Sequence, residues 1–345
     1  MKLSILMPVF NADKYLDLAI NSIISQSYKA FEFIIIDDGS TDRSKHIIRN
    51  TNDSRLVVLE NPTNQGIIAS LNKGIDFAKG EYIMRMDADD ISSQTRAYEQ
   101  LNFLEKNPSI SACGTWVKTI GGVINRVRKY PCDPNYIKCH LLFETPIVHP
   151  TVMYRKQDLI AHNLFYDSNY PHAEDFELWS RLCNVSSFAN INEVLLGYRL
   201  NTSGISYQNS QAQLLMKKKI VKNIFSYLHY EPSEQELALH FTVILGNMKQ
   251  YLEQIIDLES WFCKIIALNN NSQYYDNNIL IDVLKQKWMQ VFLINLNYGP
   301  KAWEKFSSSI FFDKRTSFSS IIYNGIYSQI KQMRYLKTHQ WGSTF

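Results

Sequence analysis

The chain has 345 residues, 45% hydrophobic and 20% charged, with a formal net charge of +3. This excludes a disordered chain and supplies enough core for two domains, or for one domain with an appendage. A charge so close to zero gives no electrostatic footprint for nucleic acid, and no run approaches the ~20 apolar residues of a membrane-spanning helix.

The N-terminus opens directly into strand-like sequence rather than a signal peptide. Leu3–Val9 reads as a buried strand that ends at Pro8, and Asn11-Ala12-Asp13 starts a helix. Tyr15, Leu16, Ala19, Ile20, Ile23 and Ile24 give that helix one apolar face. Phe31–Ile36 is a near-continuous β-branched and aromatic run, as in a central parallel strand covered on both faces. Asp37-Asp38-Gly39-Ser40-Thr41-Asp42 turns into a helix that runs to about Asn50. A third strand spans Arg55–Leu59, and Asn64-Gln65-Gly66 opens a helix that Lys79-Gly80 stops.

Tyr82-Ile83-Met84 then runs into Arg85-Met86-Asp87-Ala88-Asp89-Asp90, with three carboxylates inside four residues. Asp90 can cap a following helix while Asp87 and Asp89 sit solvated in a turn. Alternatively, Asp87 and Asp89 face a hard divalent ion that suits oxygen ligands and holds a substrate phosphate. The repeated strand–helix order is that of a doubly wound α/β sheet, whose ligands bind at the carboxyl ends of the strands. Pro8–Asn11, Asp37–Ser40 and Asp87–Asp90 all fall on such ends. Neither G-x-G-x-x-G nor G-x-x-x-x-G-K-[ST] follows a strand, so a metal is the natural substitute for a glycine-rich phosphate cradle.

Further along, Thr95–Lys106 is helical, Ile110–Ile120 is strand-like and Gly121-Gly122 turns. Residues 129–150 read as loop with a short helix near Ile137–Phe143, followed by a strand at Thr151–Tyr154. In Pro171–Leu182, Phe176, Trp179 and Leu182 share a helix face. Glu174 and Asp175 occupy its first turn, either as simple complements to the helix dipole or as a general base at a pocket mouth. Asn192–Leu200 is a last strand and residues 203–210 a joint. Beyond it, 208–228, 233–256, 258–269 and 277–296 read as helices, with a capping box at Ser233-Glu234-Gln235-Glu236. The expected domains are thus 1–205 and a helical region 206–345.

The five cysteines are odd in number and scattered, which fits free thiols in a reducing cytoplasm. Residues 301–345 carry +5 and the remainder −2. A basic, aromatic tail of this kind can rest on an anionic membrane or form an ordinary solvated face. The expectation is a cytoplasmic protein, soluble or peripheral at the inner face of the plasma membrane.

Together, Pro8-Val9-Phe10-Asn11, Asp37–Asp42, Asn64-Gln65-Gly66, Asp87-Ala88-Asp89-Asp90 and Glu174-Asp175 resemble the inverting glycosyltransferases of family 2, over roughly residues 1–205. The resemblance implies the GT-A fold: a doubly wound, mostly parallel α/β sheet, here followed by an α-helical C-terminal region. It implies transfer of a sugar from a nucleotide-sugar donor, a UDP-sugar, to a saccharide or lipid-linked saccharide in surface-polysaccharide synthesis, assisted by Mn²⁺ or Mg²⁺. Phe10 would flank the base, keeping the stacking but not the hydroxyl of the family's frequent tyrosine. Asp38 would accept a hydrogen bond from the base, with Pro8 and Asn11 shaping the same pocket and Asn64 and Gly66 on the donor side. Asp87 would lie near the ribose and Asp89 on the metal, as the D-x-D motif. Asp175 would be the catalytic base with Glu174 as the second candidate, and Arg199 would contact the diphosphate. His149 and His172 could serve as extra ligands or acceptor contacts, but a lone histidine is more often structural, and both stay outside this assignment. Two other classes compete: a sugar nucleotidyltransferase, although Pro8–Ala12 lacks that class's glycine and arginine, and a non-catalytic nucleotide- or carbohydrate-binding module.

Overall fold

Strands and helices alternate from the N-terminus because apolar runs with both faces covered alternate with one-faced helical stripes. In the computed structural model, which describes residues 1–122, 124–200, 210–245, 251–294 and 300–312, the order is β1 (Leu3–Val9), α1 (Leu16–Ile24), β2 (Phe31–Asp37), α2 (Ser44–Asn50), β3 (Leu56–Glu60), α3 (Ile67–Phe77) and β4 (Tyr82–Arg85). There follow β5 (Ile91–Ser92), α4 (Arg96–Lys106), β6 (Ile110–Ile120), β7 (Val127–Arg128), α5 (Pro134–His140), a 3-10 turn at His149–Thr151, β8 (Met153–Arg155), α6 (Lys156–Ala161), α7 (Glu174–Val185) and β9 (Ser187–Arg199).

These strands form one mixed sheet in the order β3-β2-β1-β4-β8-β6-β9-β5, with β7 on β6. β1 to β4 are mutually parallel, β8 is antiparallel to β4 and β6, and β9 runs parallel to β6. Every residue of β2 is buried. Ile5, Met7, Phe33, Ile35 and Met84 meet Ile20 and Ile23 of α1 and Leu101 and Leu104 of α4 in one core. This is the expected α/β architecture.

Several boundaries differ from expectation for visible reasons. Helix α1 starts at Leu16 rather than Asn11. The N–H groups of Asn11, Ala12 and Asp13 donate instead to Ser40 Oγ, Ser44 Oγ and Asp42 Oδ2, so the first turn is spent on the neighbouring loop. Asp133 caps α5 through Asn135 and Tyr136, and Pro134 begins that helix before the expected span. Strand β9 begins at Ser187, upstream of Asn192, and its pairing with β6 carries register shifts that break the alternation. The two-residue strands β5 and β7 are too short to leave a periodic signal.

The chain divides into two compact units, Met1–Leu141 with Thr145–Ile220, and Leu142–Glu144 with Val221–Phe345. The helices after β9 are α8 (Ser210–Ser226), α9 (Glu234–Leu245), α10 (Tyr251–Ser272), α11 (Asn277–Ile294) and α12 (Pro300–Ser308). Helix α10 runs through the expected break near 257 because Leu258, Trp261, Phe262 and Ile265 continue one buried stripe. The second unit has an aromatic core in which Phe143 stacks on His240 at 4.7 Å and Phe262 meets Trp288 at 6.2 Å. The capping box is present, with Glu236 N–H donating to Ser233 Oγ and Ser233 N–H to Glu236 Oε2. None of the five cysteines, all of them among the described residues, is in a disulfide. Among the described residues no helix is long and apolar enough to cross a membrane. The basic tail past Phe312, and the expected joint at 203–210 apart from Ser210, lie outside the described residues.

Candidate active site

The loops after β1, β2 and β3 are tied together by side chains that satisfy backbone donors. Asn11, at φ +48°, accepts the Thr41 N–H at 2.8 Å through Oδ1. Asp38 is 4% exposed. Its Oδ1 accepts from Asn61 Nδ2 at 2.7 Å and the Gln65 N–H at 2.9 Å, and its Oδ2 accepts from the Gly66 N–H at 2.8 Å. The Gly66 N–H is shared with Asn64 Oδ1 at 2.9 Å. Gly39, at φ +74°, lets the β2 loop pass this close: a Cβ there would sit 2.7 Å from the Thr63 carbonyl carbon. On this platform Pro8 is half-buried, while Phe10 and Asn64 are exposed.

Asp87, Asp89 and Asp90 follow β4, and one carboxylate oxygen of each lies within 4.8 Å of the others. Asp90 caps no helix, contrary to the simpler expectation. It is 1% exposed, and its Oδ1 accepts the Arg199 N–H at 2.7 Å. Arg199 also donates from Nε to the Asp89 carbonyl at 2.7 Å and lays its guanidinium over the Tyr15 ring at 3.9 Å. It therefore braces the acidic loop against α1. Burial and the adjacent Asp87 push Asp89 up to about 6 and Asp90 up to about 8. Asp90 Oδ2 is buried without a partner. A converging all-oxygen set with an orphaned carboxylate oxygen suits a hard divalent cation.

Two buried arginines support this loop from β4 and α4. Arg85 Nη2 pairs with Asp87 Oδ1 at 2.6 Å, while Arg96 donates from Nη2 to the Arg85 carbonyl at 2.8 Å and from Nε to Gln100 Oε1 at 2.8 Å. Burial lowers Arg96 to about 9.

Glu174 and Asp175 open α7. Glu174 is 7% exposed and its Oε2 has no partner; burial and the neighbouring Asp175 raise it to about 7. Asp175 is half-buried and accepts the Phe176 N–H at 2.7 Å. Burial also raises Asp175, opposed by that N–H and by the charges of Arg85 and Lys217. Of the pair, Asp175 is the more open to an incoming hydroxyl. His149 pairs with Tyr166 Oη at 2.9 Å, and its ring meets Trp179 edge-on at 6.4 Å. Burial and Arg85 hold that imidazole well below its ordinary value, hence neutral. His172 takes φ +67°, and its carbonyl accepts Gln213 Nε2 at 2.9 Å.

Arg85, Arg96, Tyr166 and Lys217 were not among the sequence candidates. A charged residue between Met84 and Met86 in an otherwise apolar strand was the available signal for Arg85. Tyr166 stands in a segment with no pattern of its own, and Lys217 lies on an expected helix with nothing local to tie it to the site.

The model of the family described as Glycosyl transferase family 2 matches residues 4–164. The O-antigen biosynthesis glycosyltransferase WbnJ of Escherichia coli is 30% identical over 66% of this chain and 94% of its own length. WfaP of Escherichia coli, a UDP-Glc:α-D-GlcNAc-diphosphoundecaprenol β-1,3-glucosyltransferase, is 28% identical over 71% of this chain and 94% of its own. Among solved structures, S. aureus TarS residues 1–349 in complex with UDP-GlcNAc superposes with a TM-score of 0.56 at 16% identity, covering 96% of this chain and 92% of that one. The fold is the GT-A arrangement, and the match over nearly the whole length of WbnJ sets the assignment: the chain is a glycosyltransferase and belongs to family 2.

Proposed function

We propose that the protein is an inverting, metal-assisted glycosyltransferase. It moves a sugar from a UDP-sugar to a hydroxyl of a saccharide or lipid-linked saccharide during surface-polysaccharide synthesis. The observation that carries this reading is the all-carboxylate cluster at the end of β4, in which one oxygen each of Asp87, Asp89 and Asp90 lies within 4.8 Å of the others and Asp90 Oδ2 is buried without a partner. The UDP-Glc and diphosphoundecaprenol in the name of WfaP, and the UDP-GlcNAc bound to TarS, support the donor class and a lipid-linked acceptor.

The chemistry follows from the residues. Phe10, exposed at the tip of β1, offers an apolar face to the base, and Asp38 fixes the loop around it. Asp89, with Asp87 and Asp90 beside it, would hold Mn²⁺ or Mg²⁺, which when bound supplies Lewis-acid neutralisation of the diphosphate. Arg199 keeps that loop in place and brings a cation to the same edge. Asp175 takes the proton of the acceptor hydroxyl as its oxygen attacks the anomeric carbon in line. The bond to the diphosphate breaks on the opposite side, so the anomeric configuration inverts and a nucleoside diphosphate leaves. Holding the two sugars in attack geometry supplies much of the remaining rate. The helical C-terminal region would serve the acceptor, a membrane surface or a second subunit.

The test is release of nucleoside diphosphate from UDP-glucose, UDP-N-acetylglucosamine, GDP-mannose and dTDP-glucose, with diphosphoundecaprenol-linked N-acetylglucosamine as acceptor and Mn²⁺, Mg²⁺ or EDTA present. One donor should turn over with metal and give a product of inverted anomeric configuration by NMR. Asp89→Ala should abolish metal-dependent turnover. Asp175→Asn should keep donor binding and lose about 10²–10⁴-fold in transfer. Normal transfer by Asp175→Asn refutes the base assignment, and pyrophosphate release from a nucleoside triphosphate would point to a nucleotidyltransferase instead.

A further inference from the structure

The edge of the sheet formed by β5, β9, β6 and β7 keeps one face open. Ile91 of β5 stands opposite Gly197 of β9, Gly197 opposite Lys118 of β6, and Lys118 opposite Val127 of β7. Directly paired residues share a face, so Ile91, Lys118 and Val127 form one row across four strands. The next row, Ser92–Leu196–Val117–Arg128, alternates to the other face, where Leu196 and Val117 enter the core. Two residues along β6 in either direction, Trp116 and Ile120 join the first face, and Val194 of β9 stands opposite Trp116. Lys129 reaches the same place, its Nζ 5.0 Å from the centre of the Trp116 ring. Ile91, Val194 and Val127 are 37%, 37% and 48% exposed, and Lys118 and Lys129 are exposed beside them. Gly197 keeps this face concave. A Cβ there would meet Ile120 Cδ1 at 3.3 Å; without it Ile91, Ile120 and Val194 line a groove of about 210 Å³ with Lys118 at its wall.

Exposed apolar residues standing singly mean little, but β-branched side chains contiguous across four strands mark an interaction surface. Its charge selects the occupant. Residues 106–132 hold Lys106, Lys118, Arg126, Arg128 and Lys129 and no Asp or Glu, and Glu193 is the lone carboxylate of β9. A second copy of the same face would set lysine against lysine. The tail beyond Phe312 has five Lys and Arg against Asp313, so it carries the wrong sign as well. An acidic phospholipid leaflet, with negative charge over an apolar interior, matches both halves of the face. We propose that this face docks the α/β unit on an anionic membrane surface, with Ile91, Ile120, Val127 and Val194 entering below the headgroups and Lys118 and Lys129 meeting lipid phosphates. Ile91 directly follows the Asp87–Asp90 loop, so docking brings that loop to the lipid surface. The inference goes beyond the proposed transfer and depends on neither its donor nor its base.

The experiment is flotation of the full chain with vesicles of phosphatidylcholine alone and of phosphatidylcholine with about one third phosphatidylglycerol, at low and high salt. Wild type should float with the anionic vesicles and not with the neutral ones, and should bind less in high salt. Lys118→Gln with Lys129→Gln should weaken the partition ~30-fold, about 5-fold for each cation taken from an anionic leaflet. Val127→Ser with Val194→Ser should weaken it at least ~5-fold at unchanged charge, because the apolar contact is lost. Circular dichroism checks the fold of both variants. A folded Lys118→Gln, Lys129→Gln protein that floats like wild type overturns the proposal and gives the contact to other cations, those of the tail among them. Wild type that ignores anionic vesicles overturns it outright. A dimer in solution that Val127→Ser with Val194→Ser dissolves overturns it too, by assigning the face to a second copy. Flotation involves no donor and no turnover, so these results are separate from those of the transfer assay.

Discussion

Asp38→Asn separates the holding of the donor loops from their chemistry. Asp38 accepts three hydrogen bonds, from Asn61 and Gln65 on Oδ1 and from Gly66 on Oδ2. An asparagine keeps one acceptor oxygen and turns the other into an NH₂ donor. The less damaging orientation leaves Oδ1 with its two partners and sets NH₂ against the Gly66 N–H, which falls back on Asn64 Oδ1 at 2.9 Å. One charge-assisted bond is then lost, at about 1.5–3 kcal/mol, and the two survivors drop to neutral strength. The sum is about 3 kcal/mol at a site only 4% exposed. For a unit of this size that is a fall in Tm of about 6–12 °C. The opposite orientation abandons two bonds and is worse. Thermal unfolding followed by circular dichroism reads the loss, and titration with UDP in the presence of Mn²⁺ should show affinity at least ~10-fold weaker as the β2 and β3 loops part. A variant within about 2 °C of wild type with unchanged UDP affinity would refute the reasoning, since the three bonds would then contribute nothing net.

Further expectations can be checked with the same preparations. Gly39→Ala, at φ +74° with the new Cβ 2.7 Å from Thr63, should destabilise by about 2–4 kcal/mol. Gly66→Ala, at φ +88° and ψ 162° but with no neighbour in the way of the new Cβ, should cost about 1–3 kcal/mol from backbone strain alone, and the order of their Tm values tests the geometry. Glu174 stands at about 7 against an ordinary 4.5 because of burial and Asp175. Between those values the native state binds more protons than the unfolded chain, so stability falls as pH rises. Glu174→Gln should remove that slope in urea midpoints measured in EDTA, and a gap from wild type that is the same at pH 5 and pH 8 would count against it. In the helical unit, burial opposes ionisation of Glu236, but Lys264, Ser233 and Tyr230 win and hold it at about 2. Its contribution is therefore present above the ordinary 4.5 and lost as pH falls through about 2, so Glu236→Gln should lower the helical unit's stability by about 1–2 kcal/mol at pH 7 and not at pH 2.

The sheet was legible because β1, β2 and β4 are mostly apolar runs, interrupted only by Ser4 in β1 and Glu32 in β2, that end abruptly in polar clusters. The acidic loop and the Glu174-Asp175 pair were legible for the same reason: carboxylates crowded beside apolar strand or helix sequence demand an explanation. What escaped lay in relations across long sequence separations. Asn11 looked like the start of a helix because nothing local reveals that the Ser40 and Ser44 hydroxyls claim its neighbours' N–H groups. Asp90 looked like a cap because its partner, the Arg199 N–H, is 109 residues away. Arg199 was placed at the site, yet its hold on the Asp89 carbonyl and on Tyr15 has no sequence signature.

The knitting of the first three loops divides labour between residues. Asn11, Asp38 and Asn61 spend their polar atoms on neighbouring loops, whereas Phe10, at 44% exposure, holds none of this framework. In the proposed reading, recognition and scaffolding thus fall to different side chains. If Phe10 stacks on the donor base as proposed, a change there would alter which base is favoured without loosening the frame, whereas a change at Asp38 should loosen the frame whatever the ligand. Descendants of this chain can therefore drift in donor preference by small steps at the rim, each compatible with folding, while the inner carboxylate stays fixed.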